Sequence, residues 1–175
     1  GPHYNAAGNV YEGKGAIELP GEAYNQSPHK NMITNACVDC HMHEPIGTFA
    51  GGHTFKMTWV NSEGATSRNV ASCNVSGCHT GLTNFDYSQV QTTVKGLLTE
   101  IRAELLAKNY ITPDPTDHYD HDYPKASTTT PLQIPANHAA ALYNYLLIAR
   151  DGSYGVHNTK YTLAVLRNSL AALKA

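Results

Sequence analysis

Charge is scarce in this chain. Only 12 of its 175 residues are Lys or Arg and 14 are Asp or Glu, for a formal net charge of −2. Clustered cations, which a nucleic-acid surface needs to meet phosphate, are absent, and that class of partner is set aside. No apolar run approaches the roughly 18 residues that a membrane span requires, so no crossing helix is expected. The opening residues lack the charged, apolar and small-residue layout of a signal peptide, and the chain reads as a mature one. Large apolar rings are few as well: three Phe and one Trp against 11 Tyr. A large cofactor could stand in for the missing core. Cysteine is the last scarcity, with four residues against ten His, an imbalance that points to metal chemistry.

All four cysteines fall in two clusters, Cys37-Val38-Asp39-Cys40-His41 and Cys73-Asn74-Val75-Ser76-Gly77-Cys78-His79. Each cluster closes with a histidine and no cysteine is left over. In C-x-x-C-H the two thiols add across the vinyl groups of a haem while the adjoining His reaches the iron. The second cluster is a widened variant that keeps the Cys-His adjacency and lets the extra residues bulge outward. A zinc ribbon would draw four thiolates into one tetrahedral site, with no reason for a His after both pairs. Disulfides inside such short loops suit bridge geometry poorly. Two covalently attached haem c groups, on Cys37, Cys40 and His41 and on Cys73, Cys78 and His79, are therefore the expectation. Haem attachment follows export in c-type cytochromes, which implies a periplasmic or extracellular protein.

The chain is expected to form one dihaem domain over 1–175, mainly α with extensive haem-wrapped loops and little or no β. Residues 1–36 and 42–85 hold scattered Gly and Pro without a sustained period, and 1–85 reads as the haem-binding loop region. Val90, Val94, Leu97, Leu98, Ile101 and Leu105 then recur at three- and four-residue steps, predicting a helix over about 87–108 with a capping-box-like start at Asp86 and Gln89. Five of the nine prolines lie in 111–135, a long extended loop. A helix over about 136–150, with Ala139, Leu142, Tyr143, Leu146 and Leu147 on one face, stops at Asp151-Gly152. Another follows from Asn158 as N-cap, with Tyr161, Val165, Leu166 and Leu170 apolar, so that 136–175 forms a helical hairpin.

Each iron needs a second axial ligand, and three histidines are well placed. His157 precedes the N-cap Asn158 in a turn whose glycines let the backbone approach a flat ring closely. His29 sits eight residues before Cys37. His53 is preceded by Gly51 and Gly52, which again suit close approach. His43, two residues from His41, cannot reach the opposite face of the same ring and is expected at the surface or on a propionate. Met32 and Met57 are weaker alternatives, and Met42 is excluded by its adjacency to His41. Asp114, Asp117, His118, Asp120, His121 and Asp122 form an acidic histidine loop, read as solvated, with an ion as the alternative. Trp59 is expected against a haem edge.

The first haem motif, Gly51-Gly52-His53-Thr54-Phe55, the second motif, and Tyr143-Asn144-Tyr145 through Gly155-Val156-His157-Asn158 together resemble the C-terminal portion of multihaem cytochromes c. That group includes pentahaem nitrite reductases, octahaem relatives and cytochromes of metal-reducing bacteria. The resemblance covers most of the chain after about Gly21. It implies that the His41 haem takes His157 and the His79 haem takes His29. The His53 counterpart would serve a haem this chain does not encode, so either the chain is the C-terminal piece of a longer cytochrome, or His53 reaches a haem of a neighbouring subunit, or the ligation pattern is reassigned; His3 poses the same question more weakly. The C-x-x-C-K haem of the nitrite reductases is absent, and their catalytic role does not transfer.

With imidazole on both sides of each iron, outer-sphere electron transfer is the expected function, as one link of a longer haem chain, complex or filament. Other multihaem cytochromes or redox proteins are the expected partners. The rival expectation is a small reductase or oxidase with one open-coordination haem acting on a nitrogen or sulfur oxyanion.

Overall fold

The computed structural model describes residues 6–116 and 121–175. Its elements run α1 (Ala7–Tyr11), α2 (His29–Met32), α3 (Cys37–His41), β1 (Thr58–Val60), β2 (Thr66–Arg68), α4 (Val90–Ala107), β3 (Ile111–Thr112), β4 (Tyr123–Pro124), α5 (Ala136–Asp151) and α6 (Thr159–Lys174). The chain is mainly helical, and its strands form two short antiparallel pairs, β1 with β2 and β3 with β4. Both pairs lie in stretches that read as loop, because two- and three-residue strands are too short to show alternation. Among the described residues no helix is long and apolar enough to cross a membrane.

The chain divides into two compact units, 1–28 with 89–175, and 29–88. Among the described residues, the large hydrophobic cluster lies in the first. Val94, Leu98, Ile101 and Leu105 of α4 bury against Ala141, Tyr145, Leu146 and Ile148 of α5 and Tyr161, Val165, Leu166 and Leu173 of α6. Helix α5 is enclosed on nearly every side from Ala140 onward, while Ala139, expected on its apolar face, is exposed. Three buried asparagines on these helices stitch the N-terminal segment down. Asn144 pairs with both backbone groups of Ile17 (2.8 Å each). Asn168 does the same for Glu22, and Asn158 accepts from the Ser27 N–H while capping α6 through Tyr161 N–H. A side-chain amide offers the same donor and acceptor as a peptide, which is how an extended segment without a strand partner satisfies its backbone here.

Helix α4 does not begin on a capping box. Ser88 and Gln89 are both left-handed (φ 51° and 58°), and the helix starts at Val90 without a side-chain cap. The acidic loop also departs from expectation. Asp122 is fully buried, taking a bidentate ion pair from Arg102 (2.8 and 3.0 Å), the Tyr145 hydroxyl (2.7 Å) and the Asp114 N–H (2.8 Å). It pins the proline-rich loop to α4 and α5 and is not solvated. Asp114 faces His121 at 3.4 Å, while Asp117, His118 and Asp120 lie outside the described residues, as does His3.

Gly155 illustrates a close approach of a kind other than the expected one. Its φ is +94°, and a Cβ there would sit 3.0 Å from both Val90 Cγ1 and Val94 Cγ2. The glycine lets the α5–α6 turn lie on α4, not on a flat ring. Gly155→Ala is expected to cost about 1–3 kcal/mol, read as a melting-temperature drop of several degrees.

Residues 29–88 are built differently. The buried residues there are Ala50, Gly51, Asn69 and Ser72. Nine large apolar side chains, Met32, Val38, Met42, Ile46, Phe49, Phe55, Val60, Val75 and Tyr87, are exposed. For a compact unit this is much apolar surface to leave in water.

Candidate haem-binding unit

Helix α3 spans Cys37–His41, so Cys37, Cys40 and His41 stand at i, i+3 and i+4. Those positions share one helical face, and a C-x-x-C-H sequence in helical form therefore presents two thiols and an imidazole together. Asp39 locks the turn by accepting from the backbone N–H (3.0 Å) and side-chain amide (2.9 Å) of Asn35. These donors hold its carboxyl below the ordinary range.

His41 is oriented by backbone. Its Nδ1 lies 2.8 Å from the carbonyl of Phe55, and its ring stacks on that residue's ring at 4.5 Å and 12°. A carbonyl accepts only, so Nδ1 carries the proton and Nε2 the lone pair, the tautomer an iron ligand requires. Phe55 is brought there by a tight coil in which Gly51, Gly52 and Phe55 all have positive φ. Asn69 is the peg for this coil. It is buried, donates to the Glu44 carbonyl at 2.9 Å, and stands so close that a Cβ on Gly51 would lie 2.3 Å from its Nδ2. The glycines before His53 thus serve packing against Asn69 and Pro45, and His53 itself is exposed on a 3-10 turn, Gly52–Thr54.

The second motif cannot use a helical face in the same way, because Cys73 and Cys78 are spaced too widely for the i, i+3 pairing of the first. It is a looped turn closed by Asn74, whose side chain accepts from Leu82 N–H and donates to Leu82 O, both at 2.8 Å. Gly77 has φ +84°, and no heavy atom lies within 4 Å of the place a Cβ would take, so the extra residues do bulge outward. The four thiols are free of disulfides. Burial pushes Cys40 up to about 11, with the neighbouring Cys73 adding to the rise, and burial raises Cys73 too. The second cysteine of one motif and the first of the other are thus near enough to feel each other's charge, and both favour the neutral thiol.

His79 has two aromatic neighbours, Tyr87 at 4.5 Å and His29 at 6.2 Å between ring centres. The second distance fits a shared metal. With metal–imidazole bonds of about 2 Å, and ring centres about 1.2 Å behind the nitrogens, two imidazoles on opposite sides of one ion stand roughly 6 Å apart. The two ring planes are close to perpendicular, at 83°. His29 starts α2, which places it on a short helical turn upstream of the first motif.

Comparison with protein-family models, curated proteins and solved structures finds no match. Local chemistry alone must decide the reading. Among the described residues no group of three or more His, Cys, Asp or Glu is placed to hold a metal ion, and the tetrathiolate ribbon gains no support. A haem asks for two thiols to bond its edge and an imidazole on each side of its iron; Cys73, Cys78, His79 and His29 could supply that set, and Cys37, Cys40 and His41 three of its four members.

His157 belongs to the helical unit, in the turn between α5 and α6. Its Nδ1 lies 2.6 Å from Oδ1 of Asp151, whose side chain is fully buried. Ser153 donates its hydroxyl to the other carboxylate oxygen and receives the His157 N–H at 3.3 Å. Asp151 was legible in the sequence as a helix stop but not as a histidine partner. Trp59 stacks on Phe49 at 4.2 Å. His43 is half-buried, and its carbonyl accepts from Gly52.

Proposed function

We propose that this chain is a dihaem c-type cytochrome that passes electrons between redox partners. One haem would be held by Cys37, Cys40 and His41, the other by Cys73, Cys78 and His79. The observation that carries this reading is the His29–His79 pair, set 6.2 Å apart beside a Cys-His motif. The exposed apolar side chains of 29–88 support it independently. A bound c-type haem supplies a one-electron ferric/ferrous couple. The chain's own residues would hold the haem-ligating imidazoles: the Phe55 carbonyl fixes the His41 tautomer and the Phe55 ring stacks on it, while Tyr87 packs against His79. With an imidazole on each side of the His79 iron, the reading is of a carrier, a link in a longer haem relay, with other multihaem cytochromes or redox proteins as donor and acceptor. His53, exposed and unneeded by the pair above, is offered to a haem of a neighbouring subunit. Because haem attachment follows export in c-type cytochromes, the proposal includes a periplasmic or extracellular location.

The test is spectroscopic. Purified protein is expected to exceed its sequence mass of 19.0 kDa by two haem groups that acid and solvent do not extract. Near-perpendicular imidazole planes leave the iron orbitals that face them nearly equal in energy. Ferric paramagnetic resonance is therefore expected to show one strongly anisotropic low-spin signal with a large principal g value. His29→Ala is expected to replace that signal with a high-spin one, and the widened motif's haem is the one affected. Colourless protein with four reactive thiols would overturn the reading, and a high-spin haem in the unmodified protein would favour the enzyme alternative.

A further inference from the structure

We propose that Tyr110 and His138 form an oxidisable pair, a redox site apart from the cysteine motifs that takes up oxidising equivalents from a diffusible one-electron oxidant. Both residues belong to the helical unit, and the inference does not rest on either haem. The Tyr110 hydroxyl lies 3.0 Å from Nδ1 of His138, within reach for direct proton transfer, and the ring centres are 5.8 Å apart. Tyr110 is fixed through its backbone: its N–H donates to the Leu105 carbonyl at 2.9 Å, and its carbonyl accepts from the Lys125 N–H at 2.8 Å. Its side chain packs on the hydrophobic cluster. His138 stands in the first turn of α5, so both partners are carried on ordered backbone. Both are half-buried.

A phenol is a weak acid, with an ordinary pKa of about 10, but once it has lost an electron it becomes a strong one. Oxidation is therefore easiest where a base already touches the hydroxyl. With the Tyr110 hydroxyl donating to His138 Nδ1, the Tyr110 O–H bond breaks and an N–H bond forms at Nδ1 as one electron passes to the oxidant. The products are a neutral phenoxyl radical and an imidazolium, and the return of one electron and the proton restores the pair. Three other tyrosines show what different partners permit. The Tyr24 hydroxyl donates to the Leu19 carbonyl at 3.1 Å, and the Tyr161 hydroxyl accepts from the Ala16 N–H at 3.0 Å; neither partner can keep a proton. Tyr145 donates to Asp122, whose two carboxylate oxygens already face Arg102. Tyr110 differs from these three in having an imidazole as its partner.

The experiment oxidises the ferric holoprotein with photogenerated tris(bipyridine)ruthenium(III) in the presence of a nitroso spin trap, and maps the adduct by peptide mass spectrometry. Tyr110 is expected to carry the label in the unmodified protein, although Tyr87 and Tyr123, each 54% exposed, are the more accessible rings. His138→Gln keeps a hydrogen-bonding side chain and removes the base; the label is expected to leave Tyr110 and appear on Tyr87 and Tyr123. Tyr110→Phe is expected to redistribute it in the same way. Labelling of the unmodified protein that follows exposure overturns the proposal without any variant having to fold, and so does label that stays on Tyr110 in His138→Gln.

Discussion

A chain made without haem attachment is expected to keep the order of 89–175 and lose that of 29–88. The reason lies in where the apolar side chains go. Every member of the hydrophobic core belongs to 1–28 or 89–175. Helices α4, α5 and α6 bury their faces on one another and need nothing further. Within 29–88, α2 and α3 are four and five residues long and the hairpin strands three. Isolated helices of that size do not persist in water, and a lone two-stranded hairpin is marginal. Hydrogen exchange followed by mass spectrometry on protein expressed without maturation factors checks this. Amides of α4–α6 should keep their protection, while those of α3, β1 and β2 should exchange as local opening there falls toward zero free energy. Equal protection in both units would mean that 29–88 folds by itself and that its apolar surface has another purpose.

The second large effect belongs to Asp122. Asp122→Ala removes the carboxylate that faces Arg102, whose side chain is 11% exposed, and strips an acceptor from Tyr145 and from the Asp114 N–H. Breaking a buried pair in this way typically costs about 3–5 kcal/mol. For a chain of this size the melting temperature should fall by on the order of 10 °C. Arg102→Met with Asp122→Leu should recover part of the loss, since both charges are then gone. A change below about 1 kcal/mol for Asp122→Ala would show that water reaches the pair.

What could be read from the residues depended on whether it was periodic or covalent. Helices α4, α5 and α6 announced themselves through apolar spacing, and Asn158 through its N-cap position. The two cysteine clusters stood out as candidate haem-attachment sites by their adjacency to His41 and His79. Asp122 did not, because a carboxylate among prolines looks the same whether it faces water or an arginine far back along the chain. The Phe55 carbonyl that orients His41 was beyond reach for a different reason: backbone acceptors carry no side-chain signature. Gly155 was legible as a close approach, but not what it approaches. The pairing of His29 with His79 rested on resemblance, and the 6.2 Å separation now gives it a geometric argument.

Residues 29–88 interrupt a helical unit whose two parts lie at opposite ends of the chain, and this sets an order of events during biosynthesis. Synthesis runs from the N-terminus, so the cysteine-bearing stretch is complete before Asn144, Asn158 and Asn168 exist to receive Ile17, Ser27 and Glu22. Until those asparagines are present, the polypeptide on both sides of the thiols is slack, and the closing of the helices over the first segment comes last.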